Sequence, residues 1–368
     1  MTKIKFLYVL LMFLVIGCDS SESALEPEPP TDLDFEITIS ESNPQSVSID
    51  ASASNSNFYK FNFGDGSDVI QSNDGSASYT YSSAGNYTIK VSAHTTENVF
   101  IEVSKQVEIS EQVQEEFPDG YSTPTSYEGY DLVWQDEFDG TSLSNDWTHE
   151  IGTGGNGWGN NELQYYREQN TEVRDGYLVI TAKEENFSGN NYTSSRIITE
   201  NRQEFQFGRI DIRAVLPEGQ GIWPALWMLG ANFRDVGWPA CGEIDIMEKI
   251  GGGTREREVF GTLHWDSNGT RACTCGQGEP YRLDPGSTFG DEFHVFTLLW
   301  DQEKIQWLVD DNLYHTIDIT PDDLSEFRDE FFFIFNVAVG GNLPGSPDAT
   351  TVFPQRMTVD YVRVFQKQ

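Results

Sequence analysis

From Leu33 to Val364 the chain is written in two-residue alternation, and almost nowhere in the three- or four-residue spacing of an amphipathic helix. Successive side chains on a strand point to opposite faces, so this pattern specifies strands with one face in a core. Phe35-Glu36-Ile37-Thr38-Ile39, Tyr59-Lys60-Phe61-Asn62-Phe63 and Tyr87-Thr88-Ile89-Lys90-Val91 carry it early in the chain. Leu178–Ala182, Gly208–Ala214, Val295–Trp300 and Thr358–Val364 carry it later, and the greasy run Phe331–Val339 reads as a strand of the inner layer. Residues 111–127 break the pattern with Glu, Pro, Gly, Ser and Thr and read as a flexible acidic linker. The chain is therefore expected to be all-β, with a small β-sandwich over 33–110 and a large sandwich or jelly roll over 128–368.

Lys3 and Lys5 precede an apolar run from Phe6 to Ile16 that is too short to span a bilayer and has the charged flank of a secretory signal. Its end, Val15-Ile16-Gly17-Cys18, resembles a bacterial lipobox, which implies a signal peptide over 1–18 and lipidation of Cys18. Residues 19–32, rich in Ser, Glu and Pro, read as a tether. An exported bacterial lipoprotein is expected, at the outer membrane or cell surface, meeting the membrane only through its lipid. Within 33–110, Phe63-Gly64-Asp65-Gly66 and the stretch Tyr79-Thr80-Tyr81 through Gly85-Asn86-Tyr87-Thr88 resemble the PKD domain, an Ig-like sandwich. That resemblance implies either a stiff stalk or a carbohydrate-contacting module.

Acids outnumber bases 59 to 23, for a net charge of −36, and no stretch forms a basic stripe. Nucleic acid is thereby excluded, because neutralising phosphates needs clustered Lys and Arg. The acidity is not that of a disordered chain, since 9 Trp, 15 Tyr and 24 Phe supply apolar surface for cores. A monomer with a neutral ligand is expected. Beyond Cys18 three cysteines remain, Cys241, Cys273 and Cys275. They are open to reading as a disulfide with a spare thiol, as a partial zinc site with His264, or as inert thiols; export favours a disulfide from Cys241 to one of the other two.

The chemistry is concentrated in Cys241-Gly242-Glu243-Ile244-Asp245-Ile246-Met247-Glu248. On a strand Glu243 and Asp245 share one face and Ile244 and Ile246 the other. Glu248 is five steps from Glu243, an odd number, so it rejoins the acidic face only if Met247 is the extra residue of a β-bulge. Three carboxylates on one face repel one another unless they serve a purpose. Glycoside hydrolysis with retention supplies one, needing an ionised and a protonated carboxyl about 5–5.5 Å apart. Four effective strand steps place the two Glu backbones roughly 13 Å apart, which long side chains over a concave sheet can narrow. Just upstream lie Trp223, Trp227 and Trp238 among glycines and prolines, and indoles stack on the apolar faces of sugar rings.

Glu243-Ile244-Asp245-Ile246-Met247-Glu248 resembles the E-x-D-x-x-E signature of glycoside hydrolase family 16 in its laminarinase branch. The likeness spans 128–368 and includes Trp134–Gly140, Trp158–Tyr166, Trp223–Met228, Gly261–Trp265, Asn336–Asn342 and Val359–Val364. It implies a β-jelly roll with an open groove that cleaves β-1,3 or β-1,3-1,4 glucans internally with retention. Glu243 would then be the nucleophile, Glu248 the acid/base and Asp245 the assisting carboxylate. Trp223, Trp227 and Trp238 would line glycone subsites, with Asn160, Arg196 and His264 supplying polar contacts, unless His264 merely packs among its strand neighbours. No catalytic cofactor is implied, but many members hold a structural calcium, for which Glu137, the Gly176 carbonyl and Asp360 are the matching positions. The loop Arg271-Ala272-Cys273-Thr274-Cys275 has no recognised counterpart in the signature.

The bulged signature favours laminarin over mixed-linkage glucans. Agar- and porphyran-type enzymes share the fold, but 128–368 holds 40 acids against 18 bases, and a sulfated chain would want Arg or Lys in the cleft. A surface lipoprotein that captures glycan without cleaving it is the alternative of another class. Retention of all three acids argues against it.

Overall fold

The computed structural model describes residues 27–40, 43–110 and 119–368, in two compact units divided after Glu115. The signal peptide, Cys18 and most of the tether lie outside the described residues.

The first unit is a two-sheet sandwich. One sheet orders β1 (Thr31–Ile39), β2 (Ser46–Ser54) and β5 (Ser76–Thr80); the other orders β4 (Ile70–Ser72), β3 (Phe58–Asn62), β6 (Gly85–Thr96) and β7 (Val99–Ile109). Alternate residues Phe35, Val47, Ile49, Phe61, Ile89 and Val91 close its core. In the Phe63-Gly64-Asp65-Gly66 turn a Cβ on Gly64 would lie 2.5 Å from the Thr88 carbonyl oxygen, so only glycine allows that approach. The unit also begins earlier than expected, inside the tether: the Glu28 carbonyl accepts hydrogen bonds from Asn55 and Thr95, and β1 opens at Thr31.

The second unit packs two large, mainly antiparallel sheets face to face. Its strands include β8 (Tyr130–Asp136), β9 (Tyr177–Phe187), β10 (Arg196–Ile198), β11 (Gly208–Val215), β12 (Ile222–Gly230), β13 (Glu243–Glu248), β14 (Glu258–Ser267), β15 (Thr270–Cys273), β16 (His294–Trp300), β17 (Lys304–Val309), β18 (Asn312–Asp318), β19 (Phe331–Val339) and β20 (Gln355–Lys367). One sheet runs β9-β20-β11-β16-β17-β18, with β8 on β20; the other runs β15-β14-β13-β12-β19-β10. Ile212, Leu298, Val362, Leu226, Ile244, Phe333 and Phe335 fill the space between them. The jelly-roll expectation holds, and Phe331–Val339 is buried throughout its length.

The linker reading of 111–127 is corrected at its C-terminal end. Gly120 pairs with Phe293, the Thr123 amide donates to the Tyr361 hydroxyl, Arg363 donates to the Thr123 carbonyl, and the Tyr127 hydroxyl donates to Asp211. Residues 119–127 are thus a strap on the second unit, because buried Arg363 and Asp211 need the partners this segment brings.

Candidate active site

The floor of the site is the solvent side of β12, β13, β14 and β19. Alternation along β12 puts Ile222, Leu226 and Met228 in the core and Trp223, Ala225, Trp227 and Leu229 along a cleft of ≈ 840 Å³. Along β13, Ile244 goes to the core while Glu243 and Asp245 line the cleft. The expected bulge is present, one residue earlier than expected: Leu226 pairs with Met247 and Trp227 with Asp245, so Ile246 is the residue left without a partner. Ile246 and Met247 are both buried in the core, two consecutive residues on one side, and Glu248 therefore returns to the cleft opposite Phe260. Close approach underneath is made possible by Gly261, where a Cβ would fall 2.3 Å from the Trp307 ring. Trp307, fully buried, donates its indole N–H to the Asp245 carbonyl from below.

All three carboxyls are perturbed. Burial first, and the Asp245 charge second, push Glu243 up to about 8, with His264 opposing. Burial raises Asp245 to about 7 against the pull of Arg271. Glu248 is raised to about 8, again by burial and then Asp245, with the Trp223 hydrogen bond opposing. Three carboxyls that each resist ionisation are not all charged at neutral pH, so the cleft floor stores protons.

The tryptophans do more than line the cleft. Trp223 donates its indole N–H to Glu248 at 2.9 Å, Trp238 donates to Glu243 at 2.8 Å, and Trp227 donates to Asn336 at 2.7 Å. His264 faces Glu243 across the strand pair, with Nε2 3.5 Å from Glu243 Oε1 and 3.5 Å from Asp245 Oδ2. It is buried between strands and aimed at the acids, which combines the two readings its sequence position allowed. Arg196 lines the cleft between the Trp158 and Trp227 rings, at 4.6 and 4.9 Å, and is paired with Glu150. Asn160 sits in a tight turn over Gly157–Asn161 in which Trp158 adopts left-handed backbone geometry (φ 53°), and it too lines the cleft.

Sequence reasoning did not single out Trp158, Glu162, Asn336 or Arg271, all of which line the cleft. Asn336 carried a legible signal, a lone amide inside the run Phe331–Val339. Glu162 is raised by burial and accepts hydrogen bonds from Gln164 and Tyr166. Arg271 had no signal beyond its place in an unfamiliar loop.

Two further expectations are corrected. Cys273 and Cys275 are disulfide-bonded to each other, with Cα atoms 5.2 Å apart, and Cys241 is a buried free thiol packed with Ile198, Leu229, Phe332 and Ile334. The pairing follows from position: Cys273 and Cys275 share the end of β15, whereas Cys241 lies in an apolar pocket. With both sulfurs in the disulfide, His264 gains no thiolate partners for zinc. The calcium set also does not fit: Arg363 grips both Glu137 oxygens, at 2.7 and 2.8 Å, and Arg213 holds Asp360 at 2.6 Å. Glu137 and Asp360 are thus each neutralised by a guanidinium group rather than left as an anionic pair for a hard cation.

Residues 158–363 match glycosyl hydrolases family 16, and residues 26–109 match the PKD domain. The chain is 40% identical over 240 residues to clotting factor G alpha subunit of Tachypleus tridentatus, a match covering 64% of this chain and 34% of that relative. It is 37% identical over 281 residues to glucan endo-1,3-beta-glucosidase A1 of Niallia circulans, covering 69% and 40%. The chain thus spans between a third and two fifths of the length of these two relatives. Among solved structures, the laminarinase catalytic domain from Thermotoga maritima MSB8 superposes with a TM-score of 0.60 at 46% identity, covering 66% of this chain and all of that domain.

Proposed function

The chain belongs to glycosyl hydrolases family 16, and from that premise we propose that its second unit hydrolyses β-1,3-glucan chains internally by double displacement with retention. The observation that carries this reading is the bulge in β13, which sets Glu243, Asp245 and Glu248 on one cleft floor beneath indole donors. Glu243, which receives the Trp238 N–H and faces His264 Nε2, acts as the nucleophile at the anomeric carbon once the proton that burial and Asp245 hold on it up to about 8 has left. Glu248 has the single Trp223 donor and retains its proton through burial; it gives that proton to the departing glycosidic oxygen and then takes one from the incoming water. Asp245 lies between them. Its ionisation raises both neighbours, and its own burial keeps it largely protonated until pH approaches 7.

Laminarin is the favoured substrate. The names of the Niallia glucosidase and the Thermotoga laminarinase support that linkage. Of the three cleft arginines, Arg196 and Arg234 are paired with Glu150 and Glu200, and Arg271 lies against His264 and Trp238, so at most one guanidinium is without a carboxylate for a sulfated chain. Incubation with laminarin, lichenan, agarose and porphyran, followed by sizing of the products, tests linkage and internal cleavage together. Glu243→Ser should abolish reducing-end release while polysaccharide binding persists; undiminished turnover in that variant overturns the assignment.

We also propose that Cys18 carries lipid and tethers the enzyme at the cell exterior, with the PKD unit as spacer. The lipobox-like Val15–Cys18 supports this. Release of the protein into the soluble fraction by Cys18→Ala checks it, and unchanged membrane partition counts against it.

A further inference from the structure

Arg271 stands on β15, paired in register with Asp266 of β14, while His264 of β14 lies opposite Cys273. The hairpin is braced by the Cys273–Cys275 disulfide and by a reciprocal pair of bonds, Thr274 N–H to the Leu263 carbonyl and Leu263 N–H to the Thr274 hydroxyl. Arg196 and Arg234 of the same cleft are bound to carboxylates, but among the described residues Arg271 has no carboxylate partner. Its contacts are instead on the machinery. Its Nη2 lies 3.3 Å from His264 Nδ1, and its guanidinium lies 5.0 Å from the centre of the Trp238 ring.

A guanidinium can only donate, so Nδ1 of His264 accepts and the ring proton sits on Nε2. That nitrogen is the one facing Glu243 and Asp245. Trp238, stacked under the same guanidinium, is the donor to Glu243. We propose that Arg271 is a positioning residue for the reaction: it turns the His264 N–H toward Glu243 and Asp245 and braces the indole that donates to Glu243. This rests on the reading of Glu243 as nucleophile. The groups facing Glu243 are Asp245 and Glu248 on its own strand and His264 from β14, with Cys241 and Glu326 behind Gly242; Leu229 opposite on β12 is uncharged. Arg271 is the cation that also lowers Asp245 from outside the strand pair.

The test uses the full-length protein and laminarin, with kcat and KM measured across pH. Arg271→Ala should lower kcat about 10- to 100-fold, the scale of a misplaced reacting group, with KM barely changed. Its acidic limb of kcat/KM should move by about one pH unit, because Arg271 lowers Asp245 and the charge on Asp245 in turn acts on Glu243. Arg271→Lys should keep the limb near its wild-type position without restoring kcat, since an ammonium keeps the charge but not the planar fork. An Arg271→Ala enzyme with the wild-type limb, its loss confined to KM or melting temperature, overturns the proposal. Glu243→Ser run alongside separates the two readings: if it still turns over, the nucleophile assignment fails first.

Discussion

At the scale of single residues, the site keeps proton-loving acids where an isolated carboxyl would ionise. Glu248 is raised from 4.5 to about 8 by burial and by Asp245. A carboxyl raised on folding favours the folded state while protonated, so its contribution is intact below pH 4.5 and is lost as pH climbs to about 8. Glu248→Gln cannot ionise and should therefore melt above the wild type, by little at pH 4.5 and by roughly 2–5 °C near pH 8, as thermal scans across that range will show. A melting difference that does not grow with pH contradicts the assigned burial. The identity of these acids was readable from Glu243, Asp245 and Glu248 in the sequence. Their indole donors were readable only as nearby tryptophans, because which ring nitrogen reaches which oxygen depends on register between strands.

Among elements, the bulge decides whether three acids form a site or a scattered row. Strand parity alone predicts that a bulge is needed, and the structure supplies it at Ile246, one position before Met247. Two-versus-one pairing can be placed on either neighbour without changing the parity of Glu248, which is why the sequence did not choose between them. Deleting Ile246 should close the bulge and leave all three acids on the cleft face, giving a folded enzyme within about 100-fold of wild-type turnover. Deleting both Ile246 and Met247 puts Glu248 on the core side, and reducing-sugar release should vanish. If the single deletion is as dead as the double, parity is not what the bulge preserves.

For the whole molecule, the chain boundary of the second unit is set by buried charge rather than by composition. Residues 119–127 look like linker, yet Thr123, Tyr121 and Tyr127 satisfy Arg363, Arg213 and Asp211. A fragment of 128–368 should melt on the order of 5–10 °C below one of 119–368, since removing the strap leaves Arg363 and Asp211 short of partners in a buried setting. Equal melting temperatures would make the strap decorative. The sequence by itself determined the all-β class, the two units, the core faces and the acidic trio of the cleft, because alternation is imposed by the geometry of the extended backbone and is legible within a few residues. Only the tertiary structure decided the Cys273–Cys275 pairing, the capture of Glu137 and Asp360 by arginines, the strap, and the seat of Arg271 on Trp238 and His264. Most of those contacts join residues far apart in the chain, and the Cys273–Cys275 pair was chosen by where Cys241 is buried; strand register and packing select such partners, and no local pattern records them.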